Sequence, residues 1–131
     1  MIDCMIVGDS IAVGTAQFRP ECVAYATGGL NTRQWNNKYK DKHVQARNVI
    51  ISLGTNDHDG VNTFHELQAM RARVDAERVY WILPPIKPHV QEIVEIIARS
   101  RGDVILKTSR LQKDGVHPSW AGYKELGAQA K

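Results

Sequence analysis

The sequence predicts an α/β fold: a flavodoxin-like, three-layer α/β/α arrangement with a five-stranded parallel sheet in the order 2-1-3-4-5. Three observations predict it. Short apolar runs of β type alternate with helix-patterned segments along the whole chain, the sequence of elements that a parallel sheet with crossover helices requires. The most strand-like run, Asn48-Val49-Ile50-Ile51-Ser52-Leu53, is almost continuously apolar, as strands buried on both faces are. Glycines and polar residues of unusual chemistry follow these runs, and open parallel sheets place function beyond the carboxyl ends of their strands. Right-handed crossovers then leave few strand orders to choose from.

The elements follow in order. Ile2 to Val7 forms the first strand, and a short helix from about Ile11 to Phe18 stops before Pro20. Cys22 to Ala26 forms the second strand. The turn Thr27-Gly28-Gly29-Leu30-Asn31-Thr32 leads into a polar helix that starts near Thr32 and carries Trp35 and Tyr39. After the third strand, Asn48 to Leu53, comes the loop Gly54-Thr55-Asn56-Asp57-His58-Asp59-Gly60. Phe64, Leu67, Met70 and Val74 recur at helical spacing, and Arg78 to Leu83 forms a fourth strand that Pro84-Pro85 ends. Val90, Ile93, Val94, Ile97 and Ala98 mark an amphipathic helix closed by Gly102. Val104 to Leu106 is the fifth strand. Beyond a polar loop, Asp114-Gly115-Val116-His117-Pro118 leads into a last helix with Tyr123, Leu126, Gly127 and Ala130 on one face.

At 131 residues the chain fits one domain, spanning residues 1–131, that buries about two-thirds of the surface its unfolded form exposes. A hydrophobic content of 43%, a charged content of 24% and a net charge of +3 describe an ordinary globular protein rather than a disordered or membrane one. No apolar run approaches the ~20 residues of a membrane span, and Asp3 interrupts the first run where a signal peptide would carry its apolar core. A cytoplasmic protein with no membrane partner is expected. The basic residues are scattered; even the densest group, Lys38, Lys40, Lys42, His43 and Arg47, reads as a solvated face, and no nucleic-acid partner is expected. Cys4 and Cys22 are expected as free, buried thiols that pack as small hydrophobes, although neighbouring strands would let them pair.

Gly8-Asp9-Ser10 closes the first strand and puts Ser10 at the mouth of a helix, where its hydroxyl is exposed and its N–H lies among unpaired donors. A nucleophile fits such a place, and so does a helix cap, since Asp and Ser are ordinary N-cap residues. A serine hydroxyl attacks a carbonyl only when a base takes its proton, and the base needs an acceptor on its other nitrogen. His117 and Asp114 can fill those two roles, because a separation of three residues brings a carboxylate beneath the imidazole Nδ1. Pro118 keeps His117 out of the α region and itself suits a first helical turn. The oxyanion formed by the attack has three candidate donors: the N–H of Ser10, an N–H of the glycine turn, and the Asn56 side-chain amide.

Together, Gly8-Asp9-Ser10, the glycine of the second loop, Gly54-Thr55-Asn56-Asp57 and Asp114-Gly115-Val116-His117-Pro118 resemble the four sequence blocks of the SGNH (GDSL-type) hydrolases, in the family's order. The resemblance implies a serine esterase with Ser10 as nucleophile, His117 as base and Asp114 as its orienter. It implies Gly29 and Asn56 as oxyanion donors beside the Ser10 N–H, with Asp57 holding the loop. The second block carries an extra residue, Gly29-Leu30-Asn31-Thr32, which leaves Gly28 as the alternative glycine. The chain is short for the family and has no room for a lid. An open cleft of that kind suits a small acyl group, such as acetyl, on a bulky alcohol such as a glycan. A second protomer can supply a missing wall, so a homo-oligomer is compatible with the reading.

No cofactor or metal is expected. Gly8 to Gly14 lacks the spacing of a phosphate-binding loop, and Asp9 would repel the phosphate. Asp57, His58 and Asp59 are read as solvated turn residues rather than metal ligands, and His43, His65 and His89 as surface histidines. Two other functions remain open: a short-chain carboxylester or thioester hydrolase, and a non-catalytic module of the same fold that binds carbohydrate or protein.

Overall fold

A computed structural model describes all residues, 1–131. Its elements run β1 (Cys4–Gly8), α1 (Ser10–Ala16), β2 (Val23–Ala26), α2 (Thr32–Lys38), β3 (Val44–Ser52), α3 (Thr63–Ala72), β4 (Val74–Ile82), α4 (Pro88–Arg101), β5 (Val104–Leu106) and α5 (Trp120–Gln129). The five strands pair in parallel in the order β2-β1-β3-β4-β5, as the alternating pattern predicts. Successive side chains of a strand point to opposite faces, so each central strand feeds two cores. Met5, Val7, Val49, Ile51 and Trp81 pack beneath α2, α3 and α4. Ile6, Ile50, Tyr80 and Ile82 pack beneath α1 and α5.

Several elements differ in detail from the sequence expectation. β3 and β4 each begin four residues early, at Val44 and Val74 rather than Asn48 and Arg78. In this added stretch Val44 and Ala46 are buried while Gln45 and Arg47 are exposed, a period-two pattern that a search for continuous apolar runs passes over. Val74, expected on a helix face, is thus the first residue of β4, where it pairs with Val44. Phe64 is 43% exposed, and α3 buries Leu67, Met70 and Arg71 instead. α5 starts two residues after Pro118: Ser119 is the N-cap, its Oγ accepting from the Gly122 N–H, and Pro118 bridges to Leu111.

The cysteines are a correction. Cys4 and Cys22 form a disulfide, where free thiols are expected. Sheet register is the reason. Met5 lies opposite Val23, so the residues one step earlier are also neighbours, with Cα atoms 4.8 Å apart, inside the range that a disulfide spans. The bond ties the edge strand to its neighbour at the amino end of the sheet. No helix is long and apolar enough to cross a membrane.

Candidate active site

Ser10 is positioned by a close approach of backbones. The Asp9 N–H donates to the Ser52 carbonyl, and the Thr27 N–H donates to the Gly8 carbonyl, both at 3.0 Å. This locks the end of β1 between the ends of β3 and β2. Gly8 has φ 141°, and a Cβ there would overlap the Ser52 carbonyl oxygen, so only glycine lets the chain turn here. Asp9 caps α1: its Oδ1 accepts from the Ile11 N–H at 3.0 Å and from the Ser52 hydroxyl at 3.1 Å. The capping residue is therefore Asp9, which leaves the Ser10 side chain free. Asp9 is fully buried and its Oδ2 has no partner. Burial raises its carboxyl to about 6, against the opposing effect of the Ile11 and Ser52 bonds.

Ser10 Oγ lies 3.0 Å from His117 Nε2, and His117 Nδ1 lies 2.7 Å from Asp114 Oδ2. An ionised carboxylate only accepts, so Nδ1 carries the proton and Nε2 offers its lone pair to the serine hydroxyl. The other oxygen of Asp114 accepts from the backbone N–H groups of Val116 and His117, at 2.9 and 3.0 Å. One carboxylate thus folds its own loop and orients the imidazole. The His117 bond, reinforced by these two N–H groups, holds the Asp114 carboxyl down at about 2. The loop is anchored further by the Gln112 N–H on the His117 carbonyl, 2.7 Å, and the Ser119 N–H on the Arg110 carbonyl, 2.8 Å. The His117 and Asp114 side chains keep 39% and 46% of their surface in solvent. The three groups form an open, connected relay.

Beside Ser10 the structure brings two loops. A Cβ added to Gly28 would sit 3.7 Å from the Ser10 Cβ, so Gly28 faces the serine, while Gly29 takes the left-handed turn at φ 81°. Asn56 donates one amide hydrogen to the Leu30 carbonyl, 3.0 Å, and its second remains free. Asp57 is buried and turned inward: Oδ1 accepts from the Thr32 N–H, and Oδ2 from the Thr32 and Thr63 hydroxyls at 2.7 and 2.6 Å. It holds the second and third loops and the start of α3 together. His58 Nδ1 accepts from the Gly60 N–H, and His58 and Asp59 are exposed. His43, His65 and His89 are exposed.

Two contributors carry no sequence signal of their own. Ser52 reads only as a strand residue, yet its carbonyl and hydroxyl both hold Asp9. Tyr123, which reads as one face of the last helix, packs on Gly14, where a Cβ would overlap its ring. Burial and the charges of Asp9 and Asp114 raise its phenol, which places it between the helix cap and the relay.

No family model matches the sequence, and no curated protein matches it. Solved structures similar to the chain include two acyl-chemistry proteins by name. A candidate acylhydrolase from Bacteroides fragilis NCTC 9343 superposes with a TM-score of 0.71 at 19% identity, over 97% of this chain and 83% of that one. The C-terminal catalytic domain of peptidoglycan O-acetyltransferase A (OatA) from Streptococcus pneumoniae, carrying a methylsulfonyl adduct, superposes with a TM-score of 0.61 at 18% identity, over 98% and 91%. At these identities the likeness is one of fold, and it agrees with the five-stranded parallel sheet in the order 2-1-3-4-5 that the alternating pattern predicts.

Proposed function

We propose that the protein is an SGNH-type serine esterase that hydrolyses a small-acyl ester, an acetyl ester on a glycan, through an acyl-enzyme. The observation that carries this reading is the continuous relay from Ser10 Oγ to His117 Nε2 and from His117 Nδ1 to Asp114. His117 takes the Ser10 proton as Oγ attacks the acyl carbonyl. Asp114 stabilises the imidazolium that results, and His117 then gives the proton to the departing alcohol oxygen. Water enters, His117 takes its proton, and collapse of the second tetrahedral intermediate returns the proton to Ser10 and frees the acid. The negative oxygen of each intermediate is met by the Ser10 N–H, the Gly29 N–H next to the carbon that faces Ser10, and the free Asn56 amide hydrogen.

Support for the substrate class comes from two sides. The relay is exposed, with nothing folded over it, and this favours a bulky alcohol over a long buried acyl chain. The fold neighbours bear names of acyl chemistry, acylhydrolase and peptidoglycan O-acetyltransferase. Hydrolysis of p-nitrophenyl acetate by the wild type and by Ser10→Ala, both checked for folding, tests the mechanism. The variant is expected to lose kcat by on the order of a million-fold, and a fluorophosphonate to label Ser10 in the wild type alone. Neither turnover nor labelling would reject the esterase and leave the non-catalytic binding module.

A further inference from the structure

Three metal-ligating side chains meet at the amino end of the sheet, away from Ser10. Cys4, Cys22 and Glu21 each place a ligand atom within 4.8 Å of the other two. Local geometry explains the meeting. Arg19-Pro20-Glu21-Cys22 is a turn closed by the Cys22 N–H on the Arg19 carbonyl, 3.0 Å, with proline at the position whose φ it fixes in advance. Glu21 and Cys22 are consecutive residues of that turn, and the parallel register of β1 with β2 brings Cys4 to them. The Cα atoms of the two cysteines are 4.8 Å apart.

The turn is itself anchored. The buried Arg19 guanidinium donates to the Gly127 and Ala130 carbonyls, and to Glu21 Oε2 at 2.8 Å. Oε1 of Glu21 receives no donor from the protein. Arg19 and Lys131 are the cations that face Glu21, and the Arg19 bond lowers its carboxyl, so the group is a carboxylate at neutral pH. A fixed donor on one oxygen orients a ligating carboxylate from behind and leaves the other oxygen to a metal. Cys4 is buried, Cys22 half-buried and Glu21 exposed, so the three donors lead from the core to solvent.

In the oxidised chain the two sulfurs bond to each other. A dithiol reductant gives two electrons to that bond, becomes a disulfide itself and leaves Cys4 and Cys22 as thiols. We propose that the reduced protein binds one Zn²⁺ through Cys4 Sγ, Cys22 Sγ and Glu21 Oε1, with water as the fourth ligand, and that the two thiol protons leave as the Zn–S bonds form. With Zn–S bonds of about 2.3 Å, two sulfurs on a tetrahedral zinc stand about 3.8 Å apart. The sulfurs therefore separate and the carboxylate closes in, both on the scale of a side-chain rotation. A thiolate pair selects a soft or borderline ion, and a carboxylate with an open water position favours zinc over Cu(I). Two thiolates and a carboxylate exceed the charge of the ion by one, and Arg19 supplies the balance. Disulfide and metal are thus alternative clasps between β1 and β2. The inference is independent of the esterase reading.

Cobalt(II), whose tetrahedral thiolate complexes are coloured, reads the site directly. Protein reduced with dithiothreitol and freed of it under argon is titrated with Co²⁺ and then with Zn²⁺. The reduced wild type is expected to develop sulfur-to-cobalt charge-transfer and tetrahedral visible bands that saturate at one ion per chain, and to lose them to one equivalent of Zn²⁺. The oxidised protein should develop neither, and Cys22→Ser should not reach the tetrahedral spectrum at one equivalent. Glu21→Gln keeps an oxygen in place and removes its charge; its Kd for Co²⁺ should rise by at least about tenfold. Zn²⁺ should also raise the denaturant midpoint of the reduced protein and leave that of the oxidised protein unchanged. The absence of a sulfur-to-cobalt band in folded, reduced protein would overturn the proposal. So would saturation at one ion per two chains, an affinity unchanged in Glu21→Gln, or a reduced chain that is unfolded and stays so in equimolar Zn²⁺. None of these readouts involves turnover.

Discussion

At the amino end of the sheet the connections are fastened by arginines. Arg71 pairs with Asp103 through two bonds, 2.8 and 2.9 Å, and Trp81 donates to the same carboxylate. Arg73 donates to the Tyr39 and Lys42 carbonyls, and Arg19 to those of Gly127 and Ala130. The Cys4–Cys22 disulfide sits at the same end. At the carboxyl end one exposed arginine, Arg33, reaches a site loop, at the Gly60 carbonyl, and Lys87 donates to the Asp57 carbonyl; otherwise the loops are held by threonine hydroxyls, backbone N–H groups and the carboxylates of Asp9, Asp57 and Asp114. Long guanidinium groups span gaps and tie distant segments, and at that end they are remote from Ser10. Short donors at the other end set loop geometry within a residue or two of Ser10, Asn56 and His117. On the proposed esterase reading, stability and chemistry are therefore carried by opposite ends of one sheet.

Substitutions at the two ends should separate accordingly. The largest effect on folding is expected from Arg71→Ala, which strands the buried Asp103 carboxylate and should cost about 3–5 kcal/mol in denaturant unfolding. Its kcat should stay within about twofold of the wild type; a large fall in kcat would break the division between the ends. Asn56→Ala is the converse. It should lower kcat by about 10²–10³-fold, or about 2.7–4 kcal/mol of transition-state stabilisation, while unfolding shifts by no more than about 1.5 kcal/mol for the lost bond to Leu30. A kcat within tenfold of the wild type would remove Asn56 from the oxyanion site.

Asp9 sharpens the comparison, because it is a buried carboxylate at the functional end. Its carboxyl rises from 3.8 to about 6 on folding. The folded protein thus holds that proton to a higher pH than the unfolded chain does, so this group favours folding most below pH 4 and progressively less up to pH 6, with no further change above. Unfolding free energies of Asp9→Asn minus those of the wild type should therefore climb by about 2 kcal/mol between pH 4 and pH 7. A flat difference would mean that water reaches the Asp9 Oδ2.

Legibility in the sequence follows the same line. Strand order is readable because each element carries its own apolar period. The structure also brings together Ser10, Asp114 and His117, which local signals single out: a glycine before the turn, and an acid three residues before a histidine restrained by proline. What escapes is whatever depends on register or on partners far apart in the chain. Cys4 meets Cys22 because Met5 is registered with Val23. Arg71 counts as a buried residue of α3 only because Asp103, 32 positions away, neutralises it. Lys87 adopts a left-handed conformation that lysine does not advertise, and Phe64 matches the helical period yet lies on the outer side of α3.

The disulfide encloses residues 4–22, and this covalent ring contains Ser10 together with the whole of α1. In the oxidised unfolded chain, β1 and β2 stay tethered within 18 residues of each other. A parallel pairing that would otherwise be a slow loop-closure search becomes a nearly local event. The oxidised chain thus enters folding with the Ser10 segment already looped, and the remaining strands add on one side only, from β3 outward to β5.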